Sequence, residues 1–324
     1  MESKGSEDVL KPKAGIWQWR NWSTRKKILL ASLILLLIVA LVVGLAVGLS
    51  LRGGDEDENN DDGDSGEGQT PDGNETTIWQ PSVGTSWQIQ LLSPIKGSTV
   101  DAEIYDIDLF DNDADVISDL HDEGRKVICY FSAGSYENWR DDEAKFKVSD
   151  MGSPLDGWPG ERWLDTSSQN VRNIMKSRLQ LAKDKGCDGV DPDNVDGYDN
   201  ENGISLTKAD SADYMKFLAN ATHELNMSIG LKNAGGIIPQ VISQMQWSVN
   251  EQCVQFNECD VYSAFIRAGK PVFHLEYPKQ EVNNNTRVST AAVDTACDNA
   301  ATKKFSTLIK NMNLDNWSQA CPSD

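Results

Sequence analysis

The hydrophobic pattern divides the chain into three. Ile28 to Leu51 is an uncharged, almost wholly apolar run, longer than the roughly 20 residues that span a hydrocarbon core. A cleaved signal peptide has an apolar stretch of about 7–15 residues behind a short basic lead. Here 27 residues precede the run, which predicts an uncleaved signal anchor. Arg52 to Thr77 contains DEDENNDDGDSGEGQTPDGNE and no apolar periodicity, as expected of a solvated, self-repelling stalk. From Ile78 to Asp324, short β-branched or aromatic runs alternate with helical stretches. The expected organisation is a basic tail at 1–27, a membrane span at 28–51, a stalk at 52–77 and a folded domain at 78–324.

Within that domain the pattern predicts strands at 87–91, 104–109, 126–132, 187–191, 227–233, 247–251, 271–276 and 305–310. Between the fourth of these and its predecessor, VRNIMKSRLQLAKDKG puts Val171, Ile174, Met175, Leu179 and Ala182 on one helical stripe, with Gly186 at the C-cap position. Strands and helices alternating in this way predict an α/β (β/α)8 barrel. A doubly wound open sheet is the alternative, but no GxGxxG follows its first strand. In a barrel, alternate strand residues face the axis and chemistry gathers at the C-terminal strand ends. That parity directs Asp106, Asp108, Tyr130, Asp191, Lys232, Glu251, His274 and Glu276 inward, with Asp193 just past strand four. Buried charges cost several kcal/mol unless paired or used, so this many polar strand ends predict a polar pocket.

Charge and cysteine usage sharpen this picture. The net charge is −20, but residues 1–27 carry +4, which leaves −24 on the remainder. The basic end Arg25-Lys26-Lys27 predicts a cytosolic tail and an extracellular domain, a single-pass type II protein of the plasma membrane. Nucleic-acid phosphates are excluded as partners of so acidic a domain; cationic partners are favoured. Gly44 and Gly48 form a GxxxG pair, a weak signal for homodimerisation within the span. All six cysteines, Cys129, Cys187, Cys253, Cys259, Cys297 and Cys321, lie on the outer side, as disulfides require. Six cysteines allow fifteen connectivities; pairing neighbours in the fold gives Cys129–Cys187, Cys253–Cys259 and Cys297–Cys321. Sequons at Asn74, Asn220, Asn226, Asn284 and Asn316 agree with passage through the secretory pathway.

Several chemistries lack their residues. The histidines are His121, His223 and His274, and no GxSxG elbow is present. His274-Leu275-Glu276 matches the HxE of zinc deaminases, but no PCxxC follows. The calcium-like DPDNVDGYDNENG has Val195 where a ligand is required. Neither a metal nor a cofactor is expected. Paired carboxylates remain. Two of them can flank a glycosidic oxygen, one donating a proton while the other attacks the anomeric carbon or activates water. Aromatics available to stack on sugar include Trp158 and Trp163 in a Gly/Pro loop, with Tyr130, Tyr198 and Tyr262 elsewhere.

These stretches resemble glycoside hydrolase family 114, the endo-α-1,4-polygalactosaminidases, and in particular its membrane-anchored fungal members. The resemblance rests on CYFSAGSYENWR (129–140), GWPGERWLD (157–165), GCDGVDPDNVDGYDN (186–200), IGLKN (229–233), VNEQC (249–253) and FHLEY (273–277). It implies an extracellular barrel that cuts internal α-1,4 bonds in galactosaminogalactan, whose deacetylated stretches are cationic. It further implies Asp191 as nucleophile and Glu251 as acid/base. A retaining pair would hold its carboxyls about 5–5.5 Å apart. Asp193 and Asn194 are implied to orient substrate or nucleophile, and Lys232 to keep the nucleophile ionised. Asp106, Asp108 and Glu276 are expected to meet galactosamine ammonium groups, with Tyr130, Trp163 and Tyr262 also lining the substrate site. Two other assignments stay open, Glu251 with Glu276 and Asp193 in place of Asp191. So do two other functions, hydrolysis of another α-galactosyl substrate and a wall-polysaccharide-binding barrel without turnover.

Overall fold

The computed structural model describes residues 78–97, 100–280 and 282–321. The expected tail, membrane span, Gly44–Gly48 pair and stalk lie outside the described residues, as does Asn74. Among the described residues, no helix is long and apolar enough to cross a membrane.

In chain order the elements are β1 (Trp87–Gln90), β2 (Ile104–Asp108), α1 (Ala114–Asp122), β3 (Lys126–Ser132), three short strands β4 (Ser135–Glu137), β5 (Met151–Pro154) and β6 (Glu161–Leu164), and α2 (Gln169–Lys185). They continue with β7 (Gly189–Asp193), α3 (Lys208–Glu224), β8 (Ser228–Lys232), α4 (Ile238–Val241), β9 (Trp247–Glu251), α5 (Cys253–Phe256), α6 (Cys259–Arg267), β10 (Val272–Glu276), α7 (Thr290–Cys297), β11 (Ser306–Lys310) and β12 (Ser318–Ala320). A nine-stranded sheet runs β1-β2-β3-β7-β8-β9-β10-β11-β12, parallel throughout except for the antiparallel β12. The sheet curls into a nearly closed, barrel-like α/β fold. Its open seam is tied without a strand ladder: Trp87 Nε1 donates to Ser306 O at 2.8 Å, Ser306 Oγ to Thr85 O at 2.7 Å, and Leu91 N to Leu314 O at 2.9 Å.

Two apolar layers flank this sheet. The outer one packs strand residues such as Tyr105, Val127, Val190 and Leu231 against the helices. There α2 buries Val171, Ile174, Met175, Leu179 and Ala182, and Gly186 ends it with φ 95°, a left-handed conformation that glycine adopts without strain. The inner layer is Trp87, Ile89, Ile104, Ile128, Trp247, Val249, Phe273, Leu275, Tyr277 and Leu308. Trp247 fills the axis so closely that a Cβ on Gly189 or Gly230 would lie 2.5 or 2.0 Å from its indole. Trp247 thus fills the axis below the polar residues at the C-terminal strand ends.

The disulfides are Cys129–Cys187, Cys253–Cys259 and Cys297–Cys321, the neighbour pairing expected. Strand four begins at Gly189 rather than at residue 187, and its register sets Asp191 level with Tyr130 and Asp193 level with Ser132, the last residue of β3. Asp191 therefore sits mid-strand and Asp193 at the strand end. The β4-β6-β5 sheet and β12 were not expected. Each has only three or four residues, too few to establish a period of two.

Candidate active site

Lys232 ends β8 with its side chain 1% exposed, and its ammonium gathers three carboxylates. Nζ lies 3.5 Å from Asp191 Oδ2, 3.8 Å from Asp193 Oδ2 and 3.7 Å from Glu251 Oε2. The Tyr130 ring centroid is 5.1 Å away, within cation–π range. Burial works against the charge, but Asp193, Glu251, Asp191 and Asp106 outweigh it and hold Lys232 well above the usual lysine range.

The three carboxylates differ in access. Asp191 is 0% exposed, Asp193 19% and Glu251 24%. Asp193 Oδ2 accepts from the Tyr130 hydroxyl at 2.9 Å, and its Oδ1 from Asn194 N at 2.8 Å. Glu251 Oε1 accepts from the Tyr277 hydroxyl, and Oε2 from Asn233 Nδ2 at 3.1 Å. Burial pushes the Glu251 carboxyl up, but Lys232, the Tyr277 hydroxyl and Asn233 outweigh it, leaving it below the ordinary glutamate value. Asp191 is pushed up to about 6 by burial, against Lys232 and with the negative charges of Asp193 and Glu251.

Other expected site residues have different surroundings. Asp106 is fully buried beneath the lysine, facing Asp191 and Lys232. Asp108 is held by Arg140, with Nη1 at 3.0 Å and Nη2 at 2.6 Å. Arg140 Nε also binds Glu137 at 2.9 Å, and the buried Arg178 pairs with Asp142 through Nε at 2.9 Å and Nη2 at 2.8 Å. This charge network anchors the β4 insertion. Asn194 adopts φ 60° and clamps Ser132 and Ser135 Oγ through Nδ2 at 2.9 and 3.0 Å. Its carbonyl oxygen would lie 1.7 Å from a Cβ on Gly134, so only glycine fits there. Trp163 is buried in β6 against Gly197, and Tyr262 is buried in α6, hydrogen-bonded to Asn250.

The inward direction expected for His274 and Glu276 is corrected by the register. Leu275 is level with Glu251, and His274 with Asn250, so Phe273, Leu275 and Tyr277 face the axis while His274 and Glu276 take the opposite face. Glu276 Oε1 accepts from Val254 N at 2.8 Å and meets His274 Nε2 at 3.0 Å. Cys253, Cys259 and His274 cluster within 4.8 Å, but the two sulfurs are bonded to each other and offer no thiolate to a metal.

Three site residues escaped sequence reasoning. Tyr277 continues the Phe273-Leu275 alternation, in the phase opposite to His274 and Glu276. Asn233, at φ 47°, uses its side-chain carbonyl to accept from Glu251 N at 2.9 Å, and no local signal announces it. Asp196 is pushed up to about 7 by burial and by Asp193, against a bond from its own backbone, with Asp199 and Glu251 adding to the rise. It was hidden among the many acids of its loop. Chemically, the site offers two accessible carboxylates on one ammonium, suited to proton transfer and attack at an acetal carbon.

A sequence model of glycoside-hydrolase family GH114 matches residues 68–324. The crystal structure of Aspergillus fumigatus Ega3 in complex with galactosamine is 64% identical, covers 77% of this chain and 100% of its own, and superposes with TM-score 0.75. The glycoside hydrolase domain of PelA from Pseudomonas aeruginosa shares the fold at 11% identity and TM-score 0.53, covering 72% of this chain and 98% of its own. A variant of that same PelA domain matches at 12% identity and TM-score 0.55, with the same coverage. No curated protein matches.

Proposed function

The chain belongs to glycoside hydrolase family 114, and from its site we propose an endo-acting hydrolase that cleaves internal α-1,4-galactosaminidic bonds. The observation that carries this reading is the pair of accessible carboxylates, Asp193 and Glu251, held on Lys232 at 3.8 and 3.7 Å. The galactosamine bound in the 64%-identical Ega3 structure supports a galactosamine-containing polymer such as galactosaminogalactan as substrate, and the −24 charge outside residues 1–27 would attract its ammonium groups. The nearly closed sheet, with eight parallel strands and the site at their C-terminal ends, supports a (β/α)8 barrel.

Asp193 takes the nucleophile's place in preference to Asp191, since a wholly buried carboxylate cannot reach an anomeric carbon. In the retaining route, Asp193 attacks that carbon while Glu251 protonates the departing glycosidic oxygen. Glu251 then takes a proton from water, whose oxygen displaces Asp193. The free protein holds Glu251 ionised, so in this role it acquires its proton as polymer binds. That same observation favours a second reading in which Glu251 attacks and Asp193 supplies the proton. Azide separates them: in an α-retaining enzyme, an acid/base variant rescued by azide yields the α-glycosyl azide, and a nucleophile variant yields the β-azide.

The decisive experiment follows products from deacetylated galactosamine polymer by mass spectrometry. A ladder of short oligomers is expected from wild type. Uncut but bound polymer would favour a wall-polysaccharide-binding barrel, and preferential cleavage of an uncharged α-galactosyl polymer the other hydrolase reading. We further place the protein at the plasma membrane, anchored through residues 28–51 with the catalytic domain outside. The apolar run and its basic flank support this, as do three disulfides and the exposure of Asn220, Asn226, Asn284 and Asn316.

A further inference from the structure

Below the accessible carboxylates lies a second pair that the reaction scheme leaves unused. Asp106 and Asp191 are both 0% exposed. Their side chains lie within hydrogen-bonding reach of each other. Yet Asp106 Oδ1, Asp106 Oδ2 and Asp191 Oδ1 receive no hydrogen bond from any N–H or O–H of the described residues. The remaining oxygen, Asp191 Oδ2, is 3.5 Å from Lys232 Nζ. Two ionised carboxylates would each be acceptor-only, so their contact would be purely repulsive, in a place where an unpaired charge costs several kcal/mol. A single proton removes the conflict: it makes one carboxyl a donor, satisfies an otherwise orphaned oxygen and halves the buried charge.

We propose that Asp106 and Asp191 share one proton, and that the resulting monoanionic pair is the fixed counter-charge that positions Lys232 beneath Asp193 and Glu251. In this arrangement the Asp106 hydroxyl donates to Asp191, whose other oxygen faces the ammonium. The charge balance then has a consequence for the reacting groups. Lys232 is drawn downward by one negative charge and upward by those of Asp193 and Glu251. Loss of the shared proton would add a second charge below and draw the ammonium away from the groups above. Asp106 and Asp191 are thus positioning residues, acting on the reacting carboxylates through Lys232.

The groups facing the pair are few. Asp106 on β2 faces Asp191 and Asp193 from β7 and Lys232 from β8. Asp191 additionally faces Glu251 from β9. From β3, Tyr130 stacks beside Lys232 and donates to Asp193. Asp108, farther along β2, is already neutralised by Arg140. Burial and the Asp191 charge hold Asp106 well above the usual carboxylate range, against the pull of Lys232, in agreement with the geometry. Carboxyls this close titrate as a pair, with apparent values belonging to the pair alone.

The positioning role rests on the hydrolase reading above, but the shared proton can be observed without substrate. Infrared difference spectra of the folded protein at about pH 8.5, where exposed carboxylates and Asp196 are ionised, should contain the carbonyl stretch of a protonated carboxyl. That band should shift when aspartate is 13C-labelled and vanish in Asp106→Asn. The same variant keeps a neutral donor beside Asp191 but has no proton to lose. The part of the alkaline limb that the pair contributes should therefore disappear from its kcat–pH profile, leaving the limb set by Glu251 alone and displaced upward. A wild-type spectrum without the labelled band at that pH overturns the shared proton, whatever the variant does. Superimposable profiles of wild type and Asp106→Asn overturn the positioning role. Uncut polymer with wild type would instead overturn the hydrolase reading, leaving the proton to be judged by the spectrum.

Discussion

The Tyr277 hydroxyl donates to Glu251 Oε1 at 2.5 Å, reaching it from the neighbouring strand. Because the bond favours the ionised carboxylate, the tyrosine sets when Glu251 can hold a proton. Tyr277→Phe removes the donor and raises the Glu251 pKa. The alkaline limb of the kcat/KM profile, where the acid loses its proton, should move upward. A charge-assisted bond contributes about 1.5–3 kcal/mol, so kcat should fall on the order of ten- to a hundredfold. An unmoved limb would show that this hydroxyl does not tune the acid.

Asp193→Asn and Asp191→Asn should separate reacting from positioning carboxylate. Loss of a group that acts directly costs roughly a thousandfold or more in kcat, expected for Asp193→Asn and for Glu251→Gln. Asp191→Asn should retain measurable cleavage, with the loss on the order of ten- to a hundredfold and expressed in kcat rather than KM. Complete loss with Asp191→Asn alone, in a protein of unchanged circular dichroism, would restore Asp191 as the nucleophile.

Arg140 joins Asp108 and Glu137, all three nearly excluded from solvent. Arg140→Met leaves Asp108 buried without its cation and Glu137 with Arg178 at 3.8 Å, a loss of about 3–5 kcal/mol. Thermal denaturation should register it as a large fall in Tm. Conservative Arg140→Lys should recover only part, since one ammonium cannot reproduce a planar, bidentate fork.

Lys310 is buried at the seam, donating to Asp315 O at 2.7 Å, and burial pushes it down to about 7 despite Asp315. A free lysine titrates near 10.4. For a group depressed on folding, the stability contribution is present above the unfolded pKa and is lost as pH falls through the folded one. Wild type should therefore gain stability relative to Lys310→Met as pH rises from about 7 to about 10. Below about 7 the difference should be flat. Chemical denaturation across that range is the check, and a pH-independent difference would mean that Lys310 stays charged.

The ammonium preference has its own signature. Cleavage of deacetylated polymer should exceed that of the N-acetylated form, and the gap should shrink as salt rises, because exposed charges are screened beyond a Debye length of about 10 Å at 0.1 M. Equal rates on both forms would remove electrostatics from substrate choice.

The strand sequence of this protein was legible because each strand is long enough to display its own alternation, and the α2 stripe and Gly186 are local signals of the same kind. Pairing each cysteine with its neighbour in the fold followed from that order. Local sequence also determined that Lys232, Asp191 and Glu251 face the axis. What it could not determine is how deep an inward residue lies, or which face a strand presents where its partners are remote. In strand four the register sets Asp191 level with Tyr130, within the neighbouring strand, and Asp193 level with Ser132 at its end, so Asp191 is buried and Asp193 reaches the rim. In strand seven, the His274 and Glu276 side chains have partners on the helix side, so Tyr277, rather than either of them, faces Glu251. Asp108 was expected to meet substrate, yet Arg140 from the β4 insertion neutralises it. Inward direction follows from a period of two that each segment carries by itself. Solvent access and charge partner depend on residues distant in the chain, and only the closing of the sheet brings those together.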